Sequence, residues 1–121
     1  MPSADITILV VEDEPLVSMS IVAHLTDEGF RVLEAANADQ AIAILERDPS
    51  VRLIFTDIDM PGSMDGLKLA AAVRDRWPPV HIIVTSGQRP VAADDLPDGS
   101  LFFAKPYQHA EITLSMRQML G

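Results

Sequence analysis

The sequence predicts an α/β fold, a single domain of five βα units around a parallel sheet. Short apolar runs rich in β-branched residues recur without polar alternation, as strands covered on both faces do. Segments with helical apolar spacing separate them, and strands alternating with helices imply a parallel sheet with helices on both faces. Several of the runs also end abruptly in carboxylates, hydroxyls or a lysine, so that chemistry collects at one end of the strands.

The elements follow in order. Ile6 to Val11 reads as the first strand, stopped by Glu12-Asp13-Glu14. Pro15 suits a first helical turn. From Leu16 to Glu28, Val17, Ile21 and Leu25 mark one helix face, and Gly29 closes the helix as a C-cap. Phe30 to Ala35 is the second strand. Asn37 has the position of an N-cap, with Gln40 in capping-box spacing, for a helix that ends before Pro49. Val51 to Thr56 is the third strand and leads into Asp57 and Asp59. A helix from about Asp65 to Trp77 buries Leu67, Leu69, Ala70 and Val73 and ends at Pro78-Pro79. Val80 to Val84 is the fourth strand, followed by Thr85 and Ser86. The segment from Gly87 to Gly99 holds Pro90 and Pro97 and is poor helix material, with one short turn expected around Val91 to Asp95. Leu101 to Ala104 is a fifth strand that runs into Lys105-Pro106, and a last helix from Gln108 to Leu120 buries Ile112, Met116 and Met119.

Composition narrows the function classes. With 121 residues the chain can bury a core without staples, and no cysteine is present to form a disulfide, a thiolate nucleophile or a thiolate zinc site. Eighteen acidic against nine basic residues leave a formal charge of −9, which opposes direct binding to nucleic acid. The start lacks a basic n-region and no apolar run approaches the roughly 18 residues of a membrane span, so a cytoplasmic location without membrane contact is expected. His24, His81 and His109 are scattered without metal-ligand spacing, and ordinary packing roles are expected for them.

Glu12, Asp13, Asp57, Thr85, Ser86 and Lys105 all follow or end strands, and parallel strands present their C-terminal ends along one edge. Carboxylates crowded in one pocket repel one another unless a cation sits among them. Oxygen donors without His or Cys suit Mg²⁺. A carboxylate, a divalent ion, a lysine and a hydroxyl together describe a phosphoryl-transfer site with the carboxylate as nucleophile.

This set, on five βα units, resembles a response-regulator receiver domain of two-component signalling, in the CheY-like superfamily. The resemblance covers essentially the whole chain, 1–121. It implies a flavodoxin-like, doubly wound sheet of strand order 2-1-3-4-5. Asp57 would accept a phosphoryl group from a phosphohistidine on a sensor histidine kinase or a histidine phosphotransfer protein. Asp13, Asp57 and the backbone carbonyl of Asp59 would ligate Mg²⁺, with Glu12 acting mostly through a metal-bound water. Thr85 and Lys105 would contact the phosphoryl oxygens, and Phe102 takes the place of the family's aromatic switch. The partners implied are that phosphodonor and a downstream protein bound around helix 4, strand 5 and helix 5, with the chain a monomer or weak dimer. Catalysis would be limited to self-phosphorylation of Asp57 and its reversal.

Three features depart from the family pattern. The segment from Asp57 to Gly66 is one residue longer than the common form, with the extra residue at Gly62-Ser63. Helix 4 is expected to be short or irregular. Phe102 stands where Tyr or His is usual and has no hydroxyl to pair when it turns inward. Asp59 and Gly87 occupy positions that tune phosphoaspartate lifetime in the family, and Ser86 and Pro106 flank the site. Two alternatives stay open at the level of sequence. DID after an apolar strand also resembles the nucleophile motif of haloacid-dehalogenase-type phosphatases, although the further acidic motifs of those enzymes are missing. A non-phosphorylated pseudo-receiver is the other, disfavoured by Asp57, Thr85 and Lys105 being intact.

Overall fold

The computed structural model describes residues 6–60, 62, 64–87 and 91–121, apart from the Ala93 side chain. Five parallel strands form one sheet: β1 (Thr7–Val11), β2 (Arg31–Ala35), β3 (Val51–Asp57), β4 (His81–Ser86) and β5 (Leu101–Ala104). Their order is β2-β1-β3-β4-β5, as the resemblance implied. The helices are α1 (Pro15–Asp27), α2 (Ala38–Arg47), α3 (Gly66–Arg76) and α4 (His109–Leu120). A 3-10 turn at Ala93–Asp95 replaces a helix between β4 and β5. That agrees with a single short turn in this segment; Pro90 lies outside the described residues.

The strands lack polar alternation because both faces of the sheet are dry. Leu9, Val11, Ile54, Ile82 and Val84 face α2 and α3 in one core layer. Ile8, Val10, Leu53, Phe55 and Ile83 face Ile21 and Leu25 of α1 and Ile112 and Met116 of α4 in the other. Alternate residues along each strand thus point to opposite layers. The edge strands β2 and β5 are more exposed than the three strands between them.

Helix ends follow local chemistry. Asn37 Oδ1 accepts the Gln40 N–H at 2.9 Å, while Gln40 Oε1 reaches back to the Ala36 N–H at 2.8 Å, one residue beyond the usual capping-box partner. Gly29 adopts φ 96°, the left-handed turn that ends α1. Asp65 caps α3 by accepting the Lys68 N–H at 3.0 Å. The apolar spacing misplaced one contact in α1: Val17 is half-buried, and the neighbouring Ser18 is the buried residue, its hydroxyl 3.4 Å from Glu34 Oε1. Met119 is likewise half-buried, in the last turn of α4.

Two of the histidines are not scattered. His24 of α1 and His109 of α4 stand with ring centroids 5.1 Å apart. His24 Nε2 pairs with Thr113 Oγ1 at 2.7 Å and His109 Nε2 with Ser20 Oγ at 3.3 Å, clasping the two helices. Burial, then the nearby His24, holds His109 below the usual histidine pKa. Burial, then Arg52 and Arg74, acts the same way on His81. A depressed folded pKa means that the unfolded chain takes up protons first as pH falls. The stabilisation is therefore present above the ordinary histidine pKa and lost on acidification. The urea midpoint should fall between about pH 7.5 and about pH 5.5, and His109→Gln should flatten that slope; an unchanged slope in the variant would remove His109 from the account.

Candidate phosphoryl-transfer site

Register puts the acidic residues side by side. Val11 of β1 lies opposite Thr56 of β3, so Glu12 and Asp57 leave the sheet together. Asp57 in turn lies opposite Thr85 of β4. Ala104 of β5 lies opposite Ser86, which delivers Lys105 to the same edge. The chain after β1 crosses to β2 and the chain after β3 crosses the other way to β4, and the crevice between the two strand ends is where doubly wound folds take ligands.

Glu12, Asp13 and Asp57 each offer a carboxylate oxygen within 4.8 Å of the other two. Lys105 Nζ bridges Glu12 Oε1 at 2.8 Å and Asp57 Oδ2 at 3.0 Å, with Glu14 Oε1 further out at 3.7 Å. The Asp57 side chain is only 2% exposed and that of Glu12 4%. Burial raises the Glu12 pKa, against the lowering effect of Lys105. For Lys105, burial favours the neutral amine, but hydrogen bonds to Glu12 and Asp57 outweigh it and hold the ammonium above the usual lysine pKa. Asp13 Oδ1 is buried with no hydrogen-bond partner among the described residues. Such an acceptor is costly unless a cation or water meets it. Three oxygen donors, one of them orphaned, and no nitrogen or sulfur donor fit Mg²⁺ better than a transition metal.

The loop after Asp57 is folded back tightly. Ile58 is fully buried, its N–H donates to the Thr85 carbonyl at 2.9 Å, and its own carbonyl accepts from Met60 and Gly66. The Asp59 N–H points back at Asp57 Oδ1, 3.3 Å away. A Cβ at position 66 would overlap the Asp57 carbonyl oxygen and crowd Ile58 Cα, so glycine there lets α3 begin directly beneath the cluster. The extra residue at Gly62-Ser63 falls in this connection; Gly62 has φ 111°, and Ser63 lies outside the described residues.

The remaining sequence candidates take different positions. Thr85 is buried beside Asp57 on the sheet. Ser86 Oγ donates to Asp59 Oδ2 at 2.7 Å, and Ser86 O accepts the Lys105 N–H at 3.0 Å. Gly87 is exposed, and a Cβ there would stand 3.3 Å from Lys105 Cβ, so its lack of a side chain leaves the lysine stem room. Pro106, joined to Lys105 by a cis peptide, is exposed and lines a cavity of about 430 Å³ with Leu16, Val17, Tyr107 and His109. Phe102 does not join the ionic cluster: it is half-buried against the α2–α3 core layer, as Val91 and Leu96 are. Sequence reasoning missed Glu14 as a neighbour of Lys105, and Tyr107. Tyr107 packs edge-on against Phe55 at 5.4 Å, and burial, then Glu12, pushes its pKa up to about 12. Its place two residues beyond Lys105 carries no periodic signal.

Two substitutions test this geometry. Lys105→Met should leave Glu12 and Asp57 facing each other unneutralised and cost about 3 kcal/mol by urea unfolding, with part of the loss recovered in Mg²⁺. Gly66→Ala should cost about 1–3 kcal/mol from overpacking and shift the Asp57 and Ile58 amide resonances; spectra unchanged there would mean that the close approach is not rigid.

The comparisons with known proteins converge on one family. The profile of the response regulator receiver domain matches residues 8–117. An NtrX-like response regulator of Rickettsia felis is 30% identical over 119 residues, 95% of this chain and 25% of that protein. The sensor kinase CckA of Brucella abortus is 34% identical over 122 residues, 98% of this chain and 13% of that protein. The chain therefore spans about a quarter or less of these relatives. The crystal structure of the receiver domain of NtrX from Brucella abortus superposes with a TM-score of 0.82 at 32% identity, covering 93% of this chain and 97% of that one. Nothing in these matches supports the phosphatase alternative. Matched by the family profile over nearly its whole length and by a receiver domain in three dimensions, the chain belongs to the response regulator receiver domain family.

Proposed function

We propose that Asp57 is the phosphoacceptor, taking a phosphoryl group from a phosphohistidine of a sensor histidine kinase or a histidine phosphotransfer protein. The observation that carries this reading is the Lys105 ammonium set between Asp57 and Glu12 at 3.0 and 2.8 Å, beside the orphaned Asp13 oxygen. A carboxylate paired with an ammonium at a sheet edge can attack phosphorus. The P–N bond to the donor imidazole breaks as the P–O bond to Asp57 forms. Glu12, Asp13, Asp57 and the Asp59 backbone carbonyl would hold Mg²⁺, which when bound neutralises charge on the phosphoryl oxygens. Lys105 would turn from the carboxylate to a phosphoryl oxygen, and the Thr85 hydroxyl would approach another. Nothing beyond this phosphorylation and its reversal is assigned as catalysis.

The signal would leave through the surface of the 3-10 turn, β5 and α4 to a downstream protein. Phe102 would take part by packing alone, being half-buried already and lacking a hydroxyl. This reading has the chain act in the cytoplasm, beside a nucleotide-fuelled kinase, as a monomer or weak dimer. No described helix is long and apolar enough to cross a membrane.

Acetyl phosphate with Mg²⁺ tests the proposal by mass spectrometry. One phosphoryl group per chain should be gained, none after chelation of Mg²⁺, and none in Asp57→Ala. Labelling that persists in Asp57→Ala, or steady turnover of a phosphate ester abolished by Asp59→Asn, would overturn the assignment.

A further inference from the structure

Ser86 sits at a junction of three strand ends. Its hydroxyl donates to Asp59 Oδ2 at 2.7 Å, across to the loop after β3. Its carbonyl accepts the N–H of Lys105, the residue that follows β5, at 3.0 Å. The carbonyl of the preceding Thr85 accepts the Ile58 N–H at 2.9 Å. Ser86 is only 2% exposed.

Asp59 meets the cluster with its backbone rather than its side chain. Its N–H faces Asp57 Oδ1 at 3.3 Å. Yet among the described residues the set of carboxylates within 4.8 Å of one another is Glu12, Asp13 and Asp57, without Asp59. A carboxylate so close in sequence would swing toward any cation in the crevice unless something held it. Deepening the reading of this cluster as a Mg²⁺ site, we propose that Ser86 is a positioning residue whose hydroxyl parks the Asp59 carboxylate clear of the three ligating acids and so limits the affinity of the site for Mg²⁺.

The residue type fits the task. A hydroxyl–carboxylate bond is charge-assisted and strong when shielded from water. It adds no positive charge of its own. A lysine or arginine in that place would hold Asp59 too, but it would also oppose an incoming cation. With Asp59 parked, the crevice presents three carboxylates to the ion rather than four. Because Thr85 and Lys105 are bonded through the same short stretch, displacement of this strand end changes the hold on Asp59 as well.

The test is Mg²⁺ titration by calorimetry of the unphosphorylated wild type, Ser86→Ala, Asp59→Asn and the double variant, each first shown to be folded by its urea midpoint. Ser86→Ala should bind Mg²⁺ at least about threefold more tightly, because one more negative charge reaches the ion. That gain should vanish in the Asp59→Asn background. Where Ser86→Ala does not fold, Ser86→Cys, with its weak S–H donor, takes its place. Unchanged or weaker binding in the Ser86 variant, or the same gain with and without Asp59, overturns the inference. A wild-type protein that binds no Mg²⁺ overturns the site reading together with it. Wild type that binds Mg²⁺ and labels on Asp57, beside a Ser86 variant that matches it, overturns this inference alone.

Discussion

The ammonium of Lys105 is the contact on which the arrangement of the sheet edge depends. It lies between Glu12 and Asp57, two side chains almost wholly withdrawn from water. Two buried carboxylates cannot stay ionised side by side without a counter-charge, because each would be driven toward its neutral form. The lysine supplies that charge from the far edge of the sheet, and its backbone is held in turn by Ser86. The end of β5 is thus tied through β4 to the ends of β1 and β3. A short edge strand with little burial of its own is placed by polar contacts at its C-terminal end as much as by packing.

The same charge distribution explains why the site is poised rather than closed. The lysine pairs with two carboxylates, while a buried Asp13 oxygen has no hydrogen-bond partner among the described residues. The cluster is therefore short of positive charge, which favours a hard divalent ion and then a phosphoryl group. The backbone supports this with little room to relax. Gly66 lets α3 start against the Asp57 carbonyl, and Ile58 is locked between Thr85 and Gly66. Rigidity lies beneath the carboxylates, and the exposed Gly87 and the 3-10 turn lie on the β4–β5 side.

Much of the fold could be read from residue patterns. The runs ITILVV, LIF and VHIIV lack alternation because each strand feeds two dry layers, and the sheet bears that out. Asn37, Gly29 and the prolines marked helix ends through backbone chemistry that acts within a few residues. Errors came where a local rule met a tertiary partner. Ser18 is buried in place of Val17 because Glu34 of β2 faces it, and His24 and His109 meet only because α1 and α4 pack on the same face. The Gln40 side chain bonds Ala36 instead of the cap residue, a shift too fine for spacing to reveal.

For the site, the sequence by itself determined the membership: acids after β1, an acid at the end of β3, a hydroxyl and a lysine at the ends of β4 and β5. Alternation of strands and helices is enough to place those ends on one edge, since parallel strands share a direction. The tertiary structure decided how they pair. Strand register sets Lys105 between Glu12 and Asp57, leaves one Asp13 oxygen without a partner among the described residues, rests Phe102 half-buried against the α2–α3 layer, and hands the Asp59 carboxylate to Ser86. Such pairings turn on differences of an ångström or two between side chains remote in sequence. Local propensity constrains the backbone and not those distances, so they become fixed only once the sheet and its two helical layers have packed.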